Sequence, residues 1–254
     1  MPSHLFVLCP PYSGSTILWK LLATSNNVSS MPSEGQFLPE LESVMRDKPW
    51  VRDNPLPWEE IRRVWQSYWD MDKPVLLEKS PPNIIRAAEI AQHFQPVKFV
   101  IMVRNPYAHS EGLMRRNNWT AERAARFSMM CLRTQLENRE SLDDTLVLTY
   151  ETLVADPVAA CDELAQFMPD LADMDPQASF EVHSVDGVVD RQITDLNRKK
   201  IATLGRASIA AMNSEFRQHE EVLAGWGYDF IDEAGVPAAP PVIQRGWRER
   251  LKFW

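Results

Sequence analysis

Short apolar runs rich in β-branched residues alternate along the chain with longer stretches whose apolar positions recur every three to four residues. His4–Pro10 predicts a strand and Ser15–Ala23 the helix that follows it. Val75–Lys79 predicts a second strand, and Pro82–His93 a helix with proline at its start. Lys98–Val103 (KFVIMV) is the most continuous apolar run and is expected as a buried central strand. Two helices follow, over Tyr107–Arg115 and Ala121–Asn138, then a strand over Thr145–Tyr150 and a helix from near Pro157. This order predicts an α/β fold: a parallel β-sheet with helices on both faces. The region 169–192 is rich in Asp and Pro and reads as a loop leading into a helical stretch around Arg206–Leu223. Trp50, Trp58, Trp65, Tyr68 and Trp69 crowd one stretch; the 58, 61, 65, 68, 69 spacing makes a helical stripe expected as core, with these indoles lining an acceptor cleft as the alternative. The chain reads as one domain over 1–234 and a tail over 235–254 that is first Pro-rich, then basic and aromatic.

Composition narrows the function classes. The 254 residues carry 27 Lys plus Arg against 35 Asp plus Glu, a formal charge of −8. That balance argues against broad nucleic-acid binding, which needs a basic field, but leaves room for a local basic pocket. The start of the chain lacks a signal-peptide pattern and no apolar run reaches membrane-spanning length, so a cytoplasmic protein without a membrane partner is expected. Cys9, Cys131 and Cys161 are widely spaced and form no CxxC pair, so reduced buried thiols are expected, with neither disulfides nor a metal site.

The chemistry concentrates first in Cys9-Pro10-Pro11-Tyr12-Ser13-Gly14-Ser15-Thr16, between the first strand and the first helix. A loop there surrounds an anion with backbone N–H groups and a helix N-terminus. Against the nucleotide-triphosphate pattern GxxxxGK[ST], Cys9 takes the first glycine position and Ser15 the lysine position. The missing lysine, which would reach the terminal phosphates, argues against an ATPase or kinase.

Three further segments accompany this loop in order: Glu78-Lys79-Ser80-Pro81, Arg104-Asn105-Pro106 after the central strand, and Thr149-Tyr150-Glu151-Thr152-Leu153 followed by Asp156-Pro157. As a set they resemble the sulfotransferases that use 3′-phosphoadenosine 5′-phosphosulfate (PAPS) and release 3′,5′-bisphosphoadenosine (PAP), most closely in the style of the tyrosylprotein-, heparan-type and bacterial enzymes. The resemblance spans residues about 5 to 168. It implies a three-layer sandwich like that of the P-loop NTPases. It also implies transfer of a sulfuryl group to a hydroxyl or amine of a small-molecule acceptor, without a required metal. By the same resemblance Tyr12, Ser13, Gly14, Ser15 and Thr16 hold the phosphosulfate, and Arg104 binds the 3′-phosphate. Either Ser110 or a backbone N–H at Gly112 is expected to assist Arg104, and Arg198, in Asn197-Arg198-Lys199-Lys200, to supply a late basic contact. The chain departs from the family pattern at Tyr12, where many members carry Lys or Arg, and at Gly112, where many carry a serine for the 3′-phosphate.

Sulfuryl transfer needs a cation or dense N–H donors at the leaving oxygen and a base for the nucleophile's proton. Glu34, after the first helix, is the candidate base, with His109 as its rival; Lys79, ending its strand, is the candidate cation. The competing readings are a P-loop kinase and a catalytically silent PAPS- or PAP-binding protein. The sequence leaves the acceptor and the oligomeric state open.

Overall fold

The computed structural model describes residues 1–184 and 187–236. Its centre is a five-stranded sheet, with β1 over Ser3–Leu8, β2 over Val28–Ser30, β3 over Val75–Glu78, β4 over Val97–Val103 and β5 over Thr145–Thr149. The order is β2-β3-β1-β4-β5, and every adjacent pair runs parallel. The expected α/β sandwich is therefore the observed one.

Both sheet faces are buried, so the strands are apolar at consecutive positions rather than at every second one. Leu5 and Val7 of β1 pack under α1 (Ser15–Leu22), with Leu148 of β5, and against Leu18, Leu21 and Leu22. Phe6 and Leu8 point to the other face, beneath α3 (Trp58–Tyr68) and α4 (Ala87–His93); the short α2 (Glu42–Met45) precedes α3. Here the aromatic stripe is core: Trp58, Trp65 and Trp69 are buried with Phe94 and Phe99. For these three indoles packing replaces the alternative role as walls of an acceptor cleft, while Trp50 is only partly buried against this cluster. A third cluster joins α5 (Pro106–Asn117) and α6 (Ala121–Ser141) to the C-terminal helices through Tyr107, Leu132, Met212 and Phe216.

Several boundaries differ from the sequence reading. Pro81-Pro82-Asn83 forces a 3₁₀ turn over Pro81–Ile85, and regular helix begins only at Ala87. Tyr150 opens α7 (Tyr150–Ala155) instead of ending β5, because the Thr149 side chain caps that helix by accepting from the Thr152 amide. After α8 (Pro157–Phe167), part of the expected loop at 169–192 is a hairpin of β6 (Phe180–Ser184) and β7 (Gly187–Arg191), antiparallel and outside the main sheet. α9 spans Asn197–Ile201, and the helix expected around 206–223 is divided into α10 (Arg206–Phe216) and α11 (Glu220–Gly225). The tail from 237 onward lies outside the described residues. Among the described residues no helix is long and apolar enough to cross a membrane. Cys9, Cys131 and Cys161 are free.

Candidate active site

In a parallel sheet the loops at the strands' carboxyl ends converge on one edge, and ligands bind there. That edge gathers the loop after β1, Lys79 after β3 and Arg104 after β4, while Glu34 follows β2 in the chain.

The loop after β1 is held from behind through three successive carbonyls. Ser13 Oγ donates to the Pro10 carbonyl at 2.6 Å, His109 Nε2 to Pro11 at 2.8 Å, and Arg104 Nη1 to Tyr12 at 3.1 Å. With its carbonyls tied outward, the loop leads into α1, whose first-turn amides at Ser15 and Thr16 have no intrahelical acceptor. Gly14 sits at φ +94°, and a Cβ there would lie 2.4 Å from the Tyr150 ring, so both backbone and space require glycine.

Two cavities open on either side of this loop, and both are lined by Tyr12, Ser15 and Thr16. The first, of about 240 Å³, adds Gly14, Gly112 and the cations Arg104, Arg115, Arg116 and Lys200, with no carboxylate among the described residues of its lining. Arg104 is 4% exposed, stacks on the Tyr150 ring at 3.7 Å, donates through Nε to Asn197, and keeps Nη2 buried without a hydrogen-bond partner. Burial pushes its pKa down, against the pull of Tyr150 and Glu151. Lys200 is pushed down to about 8, first by burial and then by the charge of Arg104. Glu111 offsets part of this charge from outside the cavity, reaching Arg115 at 2.7 Å and Lys200 at 3.2 Å. The result is a cationic cavity with Arg104 buried and Lys200 mostly buried in its floor and Arg115 and Arg116 at its exposed rim, in an otherwise acidic protein, which fits a multiply charged anion.

The second cavity, of about 400 Å³, has apolar walls of Pro11, Phe37, Pro49, Trp50, Pro81 and Pro82. At its polar end Lys79 Nζ pairs with Glu34 Oε1, and Gln36 Nε2 donates to Glu34 Oε2 at 2.6 Å. Lys79 is 3% exposed and also lies 5.5 Å from the Trp19 ring.

The structure thus brings together Tyr12, Ser15 and Thr16 at both cavities, Gly14 and Arg104 at the first, and Glu34 and Lys79 at the second. Three expected site residues line neither. The Ser13 hydroxyl is spent on the Pro10 carbonyl, Ser110 is fully buried in α5, and Arg198 points to solvent. Lys200 takes the place expected of Arg198. A Cβ at Gly112 would lie 2.8 Å from Lys200 Nζ, so the missing side chain at 112 leaves room for that ammonium. Sequence reasoning also missed Arg115 and Arg116; a paired Arg-Arg one helix length after the Arg-Asn-Pro turn was the available signal. His109 is wholly enclosed, with Nε2 on the Pro11 carbonyl and Nδ1 2.9 Å from Ser128 Oγ, and burial pushes it down to about 3. Because a carbonyl only accepts, Nε2 carries the proton and the ring braces the loop.

A sequence signature described as "Sulfotransferase family" matches residues 2–172. No curated protein matches by sequence. Among solved structures, the fold is similar to the sulfotransferase domain from the curacin biosynthetic pathway, at 18% identity and TM-score 0.58 over 91% of this chain and 99% of that one. It is similar also to the sulfotransferase domain of the Synechococcus PCC 7002 olefin synthase, at 20% identity and TM-score 0.57, covering 91% and 96%. Sulfotransferase STF9 from Mycobacterium avium aligns at 14% identity and TM-score 0.56, covering 90% and 78%.

Proposed function

This chain belongs to the sulfotransferase family, and we propose that it moves a sulfuryl group from PAPS to a hydroxyl or amine of a small-molecule acceptor. The observation that carries this reading is the pair of cavities sharing Tyr12, Ser15 and Thr16, one cationic and one holding the Glu34–Lys79 pair. Shared residues at the partition are what an in-line displacement requires, with donor and acceptor meeting from opposite sides.

PAPS supplies a sulfuryl group already activated by a phosphate leaving group. The residues present fit it: Arg104 Nη2, buried and unpartnered in the cationic cavity, suits a phosphate oxygen, and its planar fork favours two-point contact. Ser15, Thr16 and the first amides of α1 cradle the phosphosulfate end. Glu34 accepts the acceptor's proton at a carboxylate oxygen. Lys79, leaving Glu34, neutralises the oxygen on which charge develops. The apolar walls around Phe37 and Trp50 exclude water and suit a compact, largely apolar acceptor.

The test is transfer of ³⁵S from labelled PAPS, in the presence of EDTA, to a panel of phenols, aliphatic alcohols and amines. Labelled product from at least one class is expected. Labelling of none, with PAP bound tightly, would favour a silent binder.

The Lys200 environment gives a further expected result. An anion in the cationic cavity favours the protonated amine, whose pKa stands at about 8 without ligand. Below that value binding needs no extra proton; above it each complex must take one up. PAP affinity should therefore fall as pH rises from 7 to 9.5, and the fall should shrink in Lys200→Met. Calorimetry in two buffers of different ionisation enthalpy measures the proton directly. A flat profile in the wild type would remove Lys200 from the binding site.

A further inference from the structure

Beneath the Glu34 turn lies a buried carboxylate for which the proposed reaction has no use. Glu78, the last residue of β3, is 1% exposed. Its Oε1 accepts from the Gly35 amide at 2.9 Å and from the Ser80 hydroxyl at 2.6 Å, while Asn83 donates to Oε2. Ser80 Oγ in turn accepts from the Gln36 amide at 3.2 Å. Both amides that follow Glu34 therefore end on one carboxylate, directly or through a single hydroxyl. Opposite, the Trp65 indole closes on Gly35 so tightly that a Cβ there would sit 2.5 Å from its Nε1.

We propose that Glu78 is a positioning residue. Ionised, it holds the 34–36 turn through Gly35 and Ser80 so that Glu34 faces Lys79 and the acceptor cavity; protonated, it lets the turn go. The proposal rests on the reading of Glu34 as base.

The chemistry at Glu78 favours this role over a purely structural one. Three donors converge on it, which an ionised carboxylate satisfies without a donor of its own, whereas the neutral acid would bring a fourth donor into a buried site already supplied with three. Yet burial pushes its pKa up to about 7, the bonds from Ser80 and Gly35 pull it back, Glu34 raises it further and Lys79 lowers it. Those are the charges facing it, from the turn and from its own strand. The Cys9 thiol at the end of β1, raised to about 12 chiefly by burial, stays neutral. A folded-state pKa above the unfolded carboxylate value means that protonation favours folding. The contribution of Glu78 to stability is thus fullest at acid pH and is lost as pH rises through about 7. An ionised carboxylate at neutral pH is poorly explained by stability.

The test compares wild type, Glu78→Gln and Ser80→Ala in turnover at saturating donor across pH 5.5–9, with melting temperatures at pH 5 and 8. Wild-type turnover should rise with pH through about 7 as Glu78 ionises. Glu78→Gln should flatten that limb and lower turnover at high pH on the order of 10- to 100-fold, with the donor KM unchanged. Its melting temperature, relative to wild type, should move upward between pH 5 and pH 8, which reports the titration of Glu78 itself, while the turnover limb and the donor KM report its effect on the Glu34 turn. Ser80→Ala, the milder change, removes a bond that favours ionisation and should shift the limb to higher pH. An unmoved limb in Ser80→Ala, or wild-type turnover and limb in Glu78→Gln, overturns the proposal. Glu34→Gln run in parallel separates the two readings. Loss of turnover there with an unaffected Glu78→Gln overturns the positioning role alone, and full turnover there overturns the base and this proposal with it.

Discussion

Glu34→Gln lowers turnover at saturating donor by about 10²- to 10⁴-fold, the usual scale for loss of a general base, and leaves PAP affinity nearly unchanged. The amide keeps the size of the side chain and can keep a contact to Gln36, but it cannot take a proton. It also removes the charge that pairs with Lys79. Donor affinity is spared because Glu34 lies in the second cavity, on the far side of Tyr12, Ser15 and Thr16 from Arg104. His109→Ala is the control for the rival base. With both ring nitrogens engaged and the ring enclosed, its loss should loosen the Pro11 carbonyl and weaken donor binding rather than remove a proton acceptor. Near-native turnover in Glu34→Gln, with turnover abolished and PAP binding intact in His109→Ala, would reverse the two assignments. Retained turnover in both would mean an acceptor acidic enough to react as its own anion.

Arg104→Ala weakens PAP by about 10- to 150-fold, the equivalent of one charge-assisted hydrogen bond of about 1.5–3 kcal/mol. The loss should be much smaller for adenosine 5′-phosphosulfate, which lacks the 3′-phosphate. This pair of ligands is needed because Arg104 also holds the Tyr12 carbonyl and Asn197. A loosened loop would weaken both ligands alike, while a lost 3′-phosphate contact weakens only PAP. Arg104→Lys keeps the charge but not the planar fork and should fall between wild type and alanine. Equal losses for the two ligands in Arg104→Ala would place the guanidinium away from that phosphate.

The parts of this molecule that were legible in the sequence are those fixed by neighbours in the chain. β1 and β4 are apolar because both sheet faces are covered, and the loop at 10–16 and Arg104 follow their strands directly. The stripe of Trp58, Trp65 and Trp69 was legible as one helix face; that it packs on Phe6 and Phe94, and closes on Gly35, depends on which sheet face α3 covers. The choice between Arg198 and Lys200 was not legible. In the run Asn197-Arg198-Lys199-Lys200 only the docking of α9 sets the phase, and Asn197 and Lys200, three apart, share the inward face. Which of positions 110 and 112 faces the first cavity was not legible for the same reason. The phase of α5 buries the hydroxyl and turns the glycine toward Lys200. The hairpin of β6 and β7 was hidden by the Asp- and Pro-rich composition that precedes it.

The cationic cavity beside residues 10–16 is expected to take a 3′,5′-bisphosphorylated adenosine. Calorimetric titration of the protein with PAP in EDTA, set against ATP and AMP under the same conditions and with magnesium restored, tests it most directly. Tight binding of PAP without metal, with ATP and AMP far weaker, is the predicted result. Binding of PAP only when magnesium is present, or a preference for ATP, would contradict it.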